Sequence, residues 1–176
     1  MLQANQLSFP GQRVAISGAG NVAIYAIQKV EQLGGKVITC SDSNGYVVDE
    51  NGIDFKIVKQ IKEVERGRIK EYADRVDTAT YHEGSVWDAK LAYDIALPCA
   101  TQNEISGDQA KTLIANGVKA VAEGANMPSR PEAIAAYKAA HVLYGPAKAA
   151  NAGGVAVSAL EMSQNSMRLS WTFEEV

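Results

Sequence analysis

The sequence is short of the residues that usually carry chemistry by themselves. It has two cysteines in 176 residues, Cys40 and Cys99, and they lie at no metal-ligand spacing. That excludes a disulfide-stapled or zinc-stapled scaffold. Both cysteines follow strand-like runs and read as small buried hydrophobes in a reducing cytoplasm. The two histidines, His82 and His141, are isolated from each other and read as surface or packing residues. There is no Ser/His/Asp set and no nucleophile elbow. No apolar run approaches the ~20 residues that span a bilayer. The opening MLQANQLSFPGQRV lacks a basic start followed by an apolar block, so it does not read as a signal peptide. Net charge is -3 with no long Lys/Arg block, which leaves no electrostatic footprint for nucleic acid.

What is present is enough apolar material for one core: 47% hydrophobic residues against 21% charged. Arg13 to Ser17 is a short β-branched run bounded by Pro10-Gly11 and Gly18, which predicts a strand. Val22, Tyr25, Ala26, Val30 and Leu33 then fall at helical spacing, and Gly34-Gly35 stops that helix. Lys36 to Cys40 is a second strand, followed by the Asn44-Gly45 turn and a small hairpin. Asp54 caps a charged helix to about Val76, with Gly67 a candidate break. Short strands are expected at Ala79–His82, Tyr93–Leu97, Val118–Glu123 and Val142–Tyr144. Helices are expected at Gly107–Asn116, capped by Ser106, at Pro131–Ala140 and from about Lys148 to Leu169. Strands alternate with helices and read as apolar throughout. This predicts an α/β, Rossmann-like doubly wound fold, with a mostly parallel sheet and helices on both faces.

Gly18-Ala-Gly20-Asn-Val-Ala23 fits G-x-G-x-x-A between a strand and a helix. Gly18 permits the tight turn, Gly20 lets backbone approach a pyrophosphate, and Ala23 lets helix pack close on sheet. Amides at the helix start then face the anion. Asp42, flanked by Ser41 and Ser43, lies about 20 residues on, where a carboxylate takes ribose hydroxyls. The following helix carries Lys56, Lys59, Lys62, Arg66, Arg68 and Lys70, and Lys62 with Arg66 and Arg68 can meet a 2′-phosphate. On the residues alone, NAD and NADP both remain open.

Three further stretches sit at strand ends: ALPCATQN, EGANMP and GPAKAANAGG. They offer neutral hydrogen-bonding groups at Thr101, Gln102, Asn103, Asn126 and Asn151, suited to a ribose and a carboxamide. Lys148 can be catalytic, can begin the last helix or can touch a cofactor. The chain thus reads as a holder for a hydride carrier, without the groups that bind and deprotonate an amino or hydroxy acid. A dehydrogenase takes those groups from another domain.

SGAGNVA, SDSNG, DIALPCATQNE, NGVKAVAEGANMP and GPAKAANAGGVAVSALEM together resemble the nucleotide-binding domain of glutamate dehydrogenases, most closely the bacterial hexameric NADP-linked type. The resemblance covers nearly the whole chain. It implies interconversion of L-glutamate with 2-oxoglutarate and ammonium using NADP(H), NAD remaining an option, in a cytoplasmic homo-hexamer. It implies that Gly18, Gly20, Asn21 and Val22 hold the pyrophosphate. Asp42 and Ser43 would lie at the adenosine ribose, with Lys62, Arg66 and Arg68 near its 2′-phosphate. Ala100, Thr101 and Asn103 would line the cofactor track, Asn126 and Asn151 would meet the nicotinamide half, and Val155 and Ser158 the substrate. Glu65 stands where some members place arginine. The family's substrate domain, with its lysines and aspartate, has no counterpart among these residues. The chain is therefore expected to be an excised cofactor domain over 1–176, its terminal helix over 148–170 lining the substrate cleft, competent to bind but not to turn over. A leucine-, phenylalanine- or valine-type dehydrogenase and a stand-alone regulatory nucleotide-binding module are the alternatives.

Overall fold

The computed structural model describes residues 1–172 and 174–176. Strand β1 (Arg13–Ile16) feeds α1 (Asn21–Gln32) through the 17–20 turn; β2 (Lys36–Ser41) and β3 (Gly45–Asp49) follow. Then come α2 (Phe55–Lys59), α3 (Lys70–Arg75), β4 (Ala79–Glu83), β5 (Ile95–Leu97) and α4 (Gly107–Ala115). The chain continues as β6 (Ala120–Ala122), α5 (Pro131–Ala139), β7 (Leu143–Gly145), α6 (Ala147–Ala150) and α7 (Ala152–Met167). The strands form one seven-stranded sheet in the order β4-β3-β2-β1-β5-β6-β7. Four neighbouring pairs, β1–β2, β1–β5, β5–β6 and β6–β7, are parallel. The pairs β2–β3 and β3–β4 are antiparallel; between β2 and β3 the Asn44-Gly45 turn reverses the chain at once, while β3 reaches β4 through α2 and α3.

Successive residues of β1 serve opposite faces. Val14 and Ile16 pack with Ile24, Ile27, Val58, Ile61 and Tyr72 on the α1–α2–α3 side. Ala15 packs with Ile38, Trp87, Ile105, Leu113 and Tyr137 on the α4–α5 side. With both faces covered, central strands have no polar face to show, which is why they read as unbroken apolar runs. Fully burying each large aliphatic of these clusters contributes about 1.5–3 kcal/mol. Strand β4 departs from that pattern: at the sheet edge it carries Thr80 and His82 outward, and His82 stacks on Tyr46.

Several helix boundaries differ from expectation, for identifiable reasons. Asp54 does cap α2, accepting the Lys56 N–H at 2.7 Å. The helix then widens into a π turn over Gln60–Val64 and breaks beside Gly67, the candidate break, before α3 carries on to Arg75. Its end is a tertiary choice: the chain turns at Arg66, in the left-handed region at φ 56, and presents the Ile69 N–H to Asp42. The last helix is likewise two. It breaks at Asn151, whose side-chain amide donates to backbone and side chain of the 124–126 loop. Ser106 heads α4 in a full capping box with Gln109, as the sequence pattern anticipates.

Candidate functional site

Strand β1 lies where the parallel sheet switches direction: β2 is on one side, β5 on the other. Ligands of open α/β sheets bind at the carboxyl end of such a strand. There Gly18 turns the chain with φ +86, and a Cβ on it would stand 2.9 Å from the Cys99 carbonyl oxygen. Its N–H donates to Ser41 Oγ at 2.8 Å, which pins the turn to β2. On the other side Ser17 Oγ accepts the Cys99 N–H at 3.0 Å. The protein's own packing thus requires glycine at 18.

Gly20 is different. Its φ of −86 suits any residue, and a Cβ there meets nothing within 4 Å. No internal contact explains this glycine; the free space in front of it does. Gly20 is also the N-cap of α1 and no side chain caps the helix. The first-turn N–H groups, those of Asn21 and Val22 among them, therefore lack intrahelical partners and face that space with the positive end of the helix dipole. A diphosphate fits this cradle.

Two hollows meet at the turn. The first, of about 420 Å³, is lined by Gly18, Gly20, Asp42, Ser43, Lys62 and Thr101, among others. Asp42 sits at its wall with a side chain 9% exposed. Oδ1 accepts the Asn44 N–H at 2.9 Å and Oδ2 the Ile69 N–H at 3.0 Å. Lys62 and Arg68 each stand 3.9 Å from Oδ2, and Arg68 donates to Ser43 Oγ at 3.0 Å. Burial alone would raise the Asp42 pKa. The two N–H donors and the two cations outweigh it and hold the carboxyl below its ordinary value. A depressed folded pKa contributes stability that is present above the unfolded value, about 3.9, and is lost as pH falls through the lower folded one. Asp42→Asn should therefore be less stable than wild type at pH 7, and the gap should close in strong acid. Denaturant melts of both proteins at pH 7, 5 and 3 measure this; a gap that persists undiminished at pH 3 would count against it.

Of the sequence-derived candidates, Arg66 lines neither hollow, because it forms the exposed turn itself. Glu65 faces Arg75 and Gln60.

The second hollow, of about 690 Å³, lies across the turn and is lined by Val22, Ala100, Thr101, Gln102, Asn126, Asn151, Val155 and Ser158, among others. Asn151 Nδ2 donates to Asn126 Oδ1 at 2.9 Å, so these two candidates act together. Asn103 does not line it. That residue takes a left-handed turn at φ 58, and its N–H donates to the Met127 carbonyl at 2.9 Å, fastening the β5 loop to the β6 loop. Lys148 is exposed on α6 and lines neither hollow. Burial pushes the Cys99 thiol up to about 12, with Glu104 adding to it, so it is no nucleophile at neutral pH.

Two carboxylates that the sequence reading passed over organise these loops. Glu104 accepts the Trp87 Nε1–H at 2.7 Å with one oxygen and the Ala100 and Thr101 N–H groups with the other. Glu123, only 2% exposed, accepts the Ser129 and Ala147 N–H groups. Burial raises the Tyr144 phenol, and the neighbouring Glu123 carboxylate raises it further. The available signal was a charge ending an apolar strand, as in VAE, where only a partnered carboxylate is tolerated. Among the described residues no group of three His, Cys, Asp or Glu can hold a metal ion. Nor, among the described residues, is any helix long and apolar enough to cross a membrane.

The family model for glutamate/leucine/phenylalanine/valine dehydrogenase matches residues 1–176. The chain is 56% identical over its whole length to the NAD(P)-specific glutamate dehydrogenase of Xylanibacter ruminicola, covering 40% of that protein. It is 54% identical to the NADP-specific glutamate dehydrogenase of Haemophilus influenzae, covering all of this chain and 39% of that one. Among solved structures, Plasmodium falciparum glutamate dehydrogenase superimposes with a TM-score of 0.92 at 46% identity, over 99% of this chain and 38% of that one. The chain thus spans about 40% of the length of the curated relatives it matches.

Proposed function

The chain belongs to the glutamate/leucine/phenylalanine/valine dehydrogenase family, and from that premise we propose that it is the cofactor-holding domain of an NADP-linked glutamate dehydrogenase. The parent reaction is oxidative deamination of L-glutamate to 2-oxoglutarate and ammonium, and its reverse. The observation that carries the reading is Gly20, a glycine explained by nothing inside the protein and set at an uncapped helix start. The amides of residues 20 to 22 hold a diphosphate there.

The rest of the dinucleotide straddles β1. Ser43, Lys62 and Arg68 receive the adenosine end with its 2′-phosphate. Asp42 keeps the two cations gathered, and its charge is already balanced by them, so it does not repel a phosphate as an isolated carboxylate would. This accounts for an acidic residue at a site of this specificity. Thr101, Asn126 and Asn151 orient the nicotinamide half in the larger hollow. Val155 and Ser158, on the far wall, face the substrate.

When bound, the nicotinamide supplies the hydride acceptor or donor of the reaction. These residues bind and orient; the groups that move protons on the substrate belong to a second domain, in a cytoplasmic homo-hexamer. The domain alone binds cofactor without turning over.

Calorimetric titration of the chain with NADPH and NADH tests the reading. NADPH should bind tighter by about ten-fold or more, and Lys62→Ala should remove most of that preference while changing NADH affinity by less than about two-fold. Equal, weak heats for both nucleotides in the wild type would sink the 2′-phosphate assignment. No heat for either would sink the cofactor reading itself.

A further inference from the structure

Four residues close a ring of contacts behind the larger hollow. The Glu123 carboxylate accepts the Ala147 N–H at 2.9 Å. The Ala147 carbonyl accepts the Asn151 N–H at 2.9 Å. The Asn151 side chain donates to the Gly124 carbonyl at 3.3 Å and to Asn126 Oδ1 at 2.9 Å. Gly124 follows Glu123 in the chain, which completes the circuit. The second hydrogen bond to Glu123, from Ser129 N–H at 3.2 Å, ties down the far end of the same 124–129 loop. A carboxylate 2% exposed is costly to bury unless its partners repay it; here they are two backbone amides.

The β6–β7 ladder brings the chain as far as Gly145, whose carbonyl accepts the Glu123 main-chain N–H at 3.0 Å, and beyond Gly145 few contacts fix it. Helix α6 is a single turn, Ala147–Ala150, and α7 beyond it buries no residue. The placement of Asn151 against Asn126 therefore depends on where α6 starts. Accepting the first N–H of α6 is what Glu123 does.

We propose that Glu123 is a positioning residue for the nicotinamide end of the cofactor: it seats α6 and thereby sets the Asn126–Asn151 pair, while leaving the adenosine end untouched. This rests on the cofactor reading above. The adenosine groove is built from residues 18–20, 41–43, 62, 84–86 and 104, with Ala100 and Thr101 on the wall it shares with the larger hollow, and none of these residues shares a hydrogen bond with Glu123.

The test compares two probes on the 176-residue chain: NADPH, and adenosine 2′,5′-bisphosphate, which has no nicotinamide. In Glu123→Gln one of the two N–H donors meets an NH2 group instead of an acceptor. Ala147→Pro removes the donor and leaves the carboxylate intact; proline is tolerated at a first helical position, and Pro146 already has the extended ψ of 154 that a following proline needs. In both variants the NADPH dissociation constant should rise about ten-fold. Bisphosphate affinity should stay within about two-fold, since distant sites act independently.

Unchanged NADPH affinity in both variants overturns the proposal. So does a parallel loss of both ligands, or loss of the fold in both variants, since each would make Glu123 a general structural residue. If Glu123→Gln alone unfolds, Ala147→Pro decides. Failure of the wild type to bind either probe marks failure of the cofactor reading, and this inference falls with it.

Discussion

Replacing Gly20 by valine is expected to abolish nucleotide binding while the domain stays folded. The backbone at 20 is extended, with φ −86 and ψ −171, which valine adopts readily, and its Cβ would meet no protein atom within 4 Å. The protein therefore accommodates the side chain. The cost is a poorer N-cap for α1, about 1 kcal/mol, or a melting temperature lowered by about 2–4 °C in a chain of this size. The ligand does not accommodate it, because two methyl groups occupy the space in which a diphosphate would meet the amides of Asn21 and Val22. Affinity for NADPH should fall by about a hundred-fold or more. Calorimetry of the variant beside a thermal melt measures both halves. Retained binding in a folded variant would remove the cradle from the argument.

Gly18→Ala should have the reverse phenotype. At φ +86 an alanine is strained, and its Cβ would lie 2.9 Å from the Cys99 carbonyl oxygen and 3.2 Å from the Ala100 Cα. Both obstacles are backbone and cannot swing aside. The turn would have to part from the β5 loop, at the expense of the Ser17 Oγ and Ser41 Oγ bonds that hold it there. A loss of about 2–4 kcal/mol is expected, which corresponds to a fall of about 5–15 °C in melting temperature. Denaturant unfolding gives the number directly. A variant as stable as the wild type would mean that the turn has room the structure does not show. Two glycines separated by one alanine thus predict opposite outcomes, one for folding and one for binding.

That division was only half legible in the sequence. G-x-G-x-x-A after a strand identifies the turn and assigns a role to each glycine, because those roles follow from local backbone geometry. The mostly parallel sheet with helices on both faces was accessible as well, because apolar runs separated by helical periods leave few arrangements. The break beside Gly67 was flagged by that glycine, but its geometry and the break at Asn151 were not accessible, because both are made by contacts distant in the chain. Asp42 draws in Ile69, and the 124–126 loop draws in Asn151. A periodic pattern records what a helix would do alone and is silent about a hydrogen bond arriving from elsewhere. Asn103 and Arg66 show the same limit in the site. Their residue types fit the expected chemistry, but each is used to turn the chain. Glu104 and Glu123 were missed for the converse reason: a carboxylate is usually weighed as a charge, and here both act as receptors for main-chain amides.

Helix α7 buries none of its sixteen residues and leaves the body at Asn151. At 1.5 Å per residue it is a rod of about 24 Å. It carries three wall residues of the larger hollow, Gly154, Val155 and Ser158, in its first half, and exposes Leu160, Met162 and Met167 toward its tip. Such a geometry works as a pointer on a dial. A swing of about 5° at the root, hardly a bond length beside Val155, carries the tip of a rod that long through about 2 Å. A surface resting against those outer side chains would be displaced by that distance for such a swing, an amplification set by the number of turns in the helix.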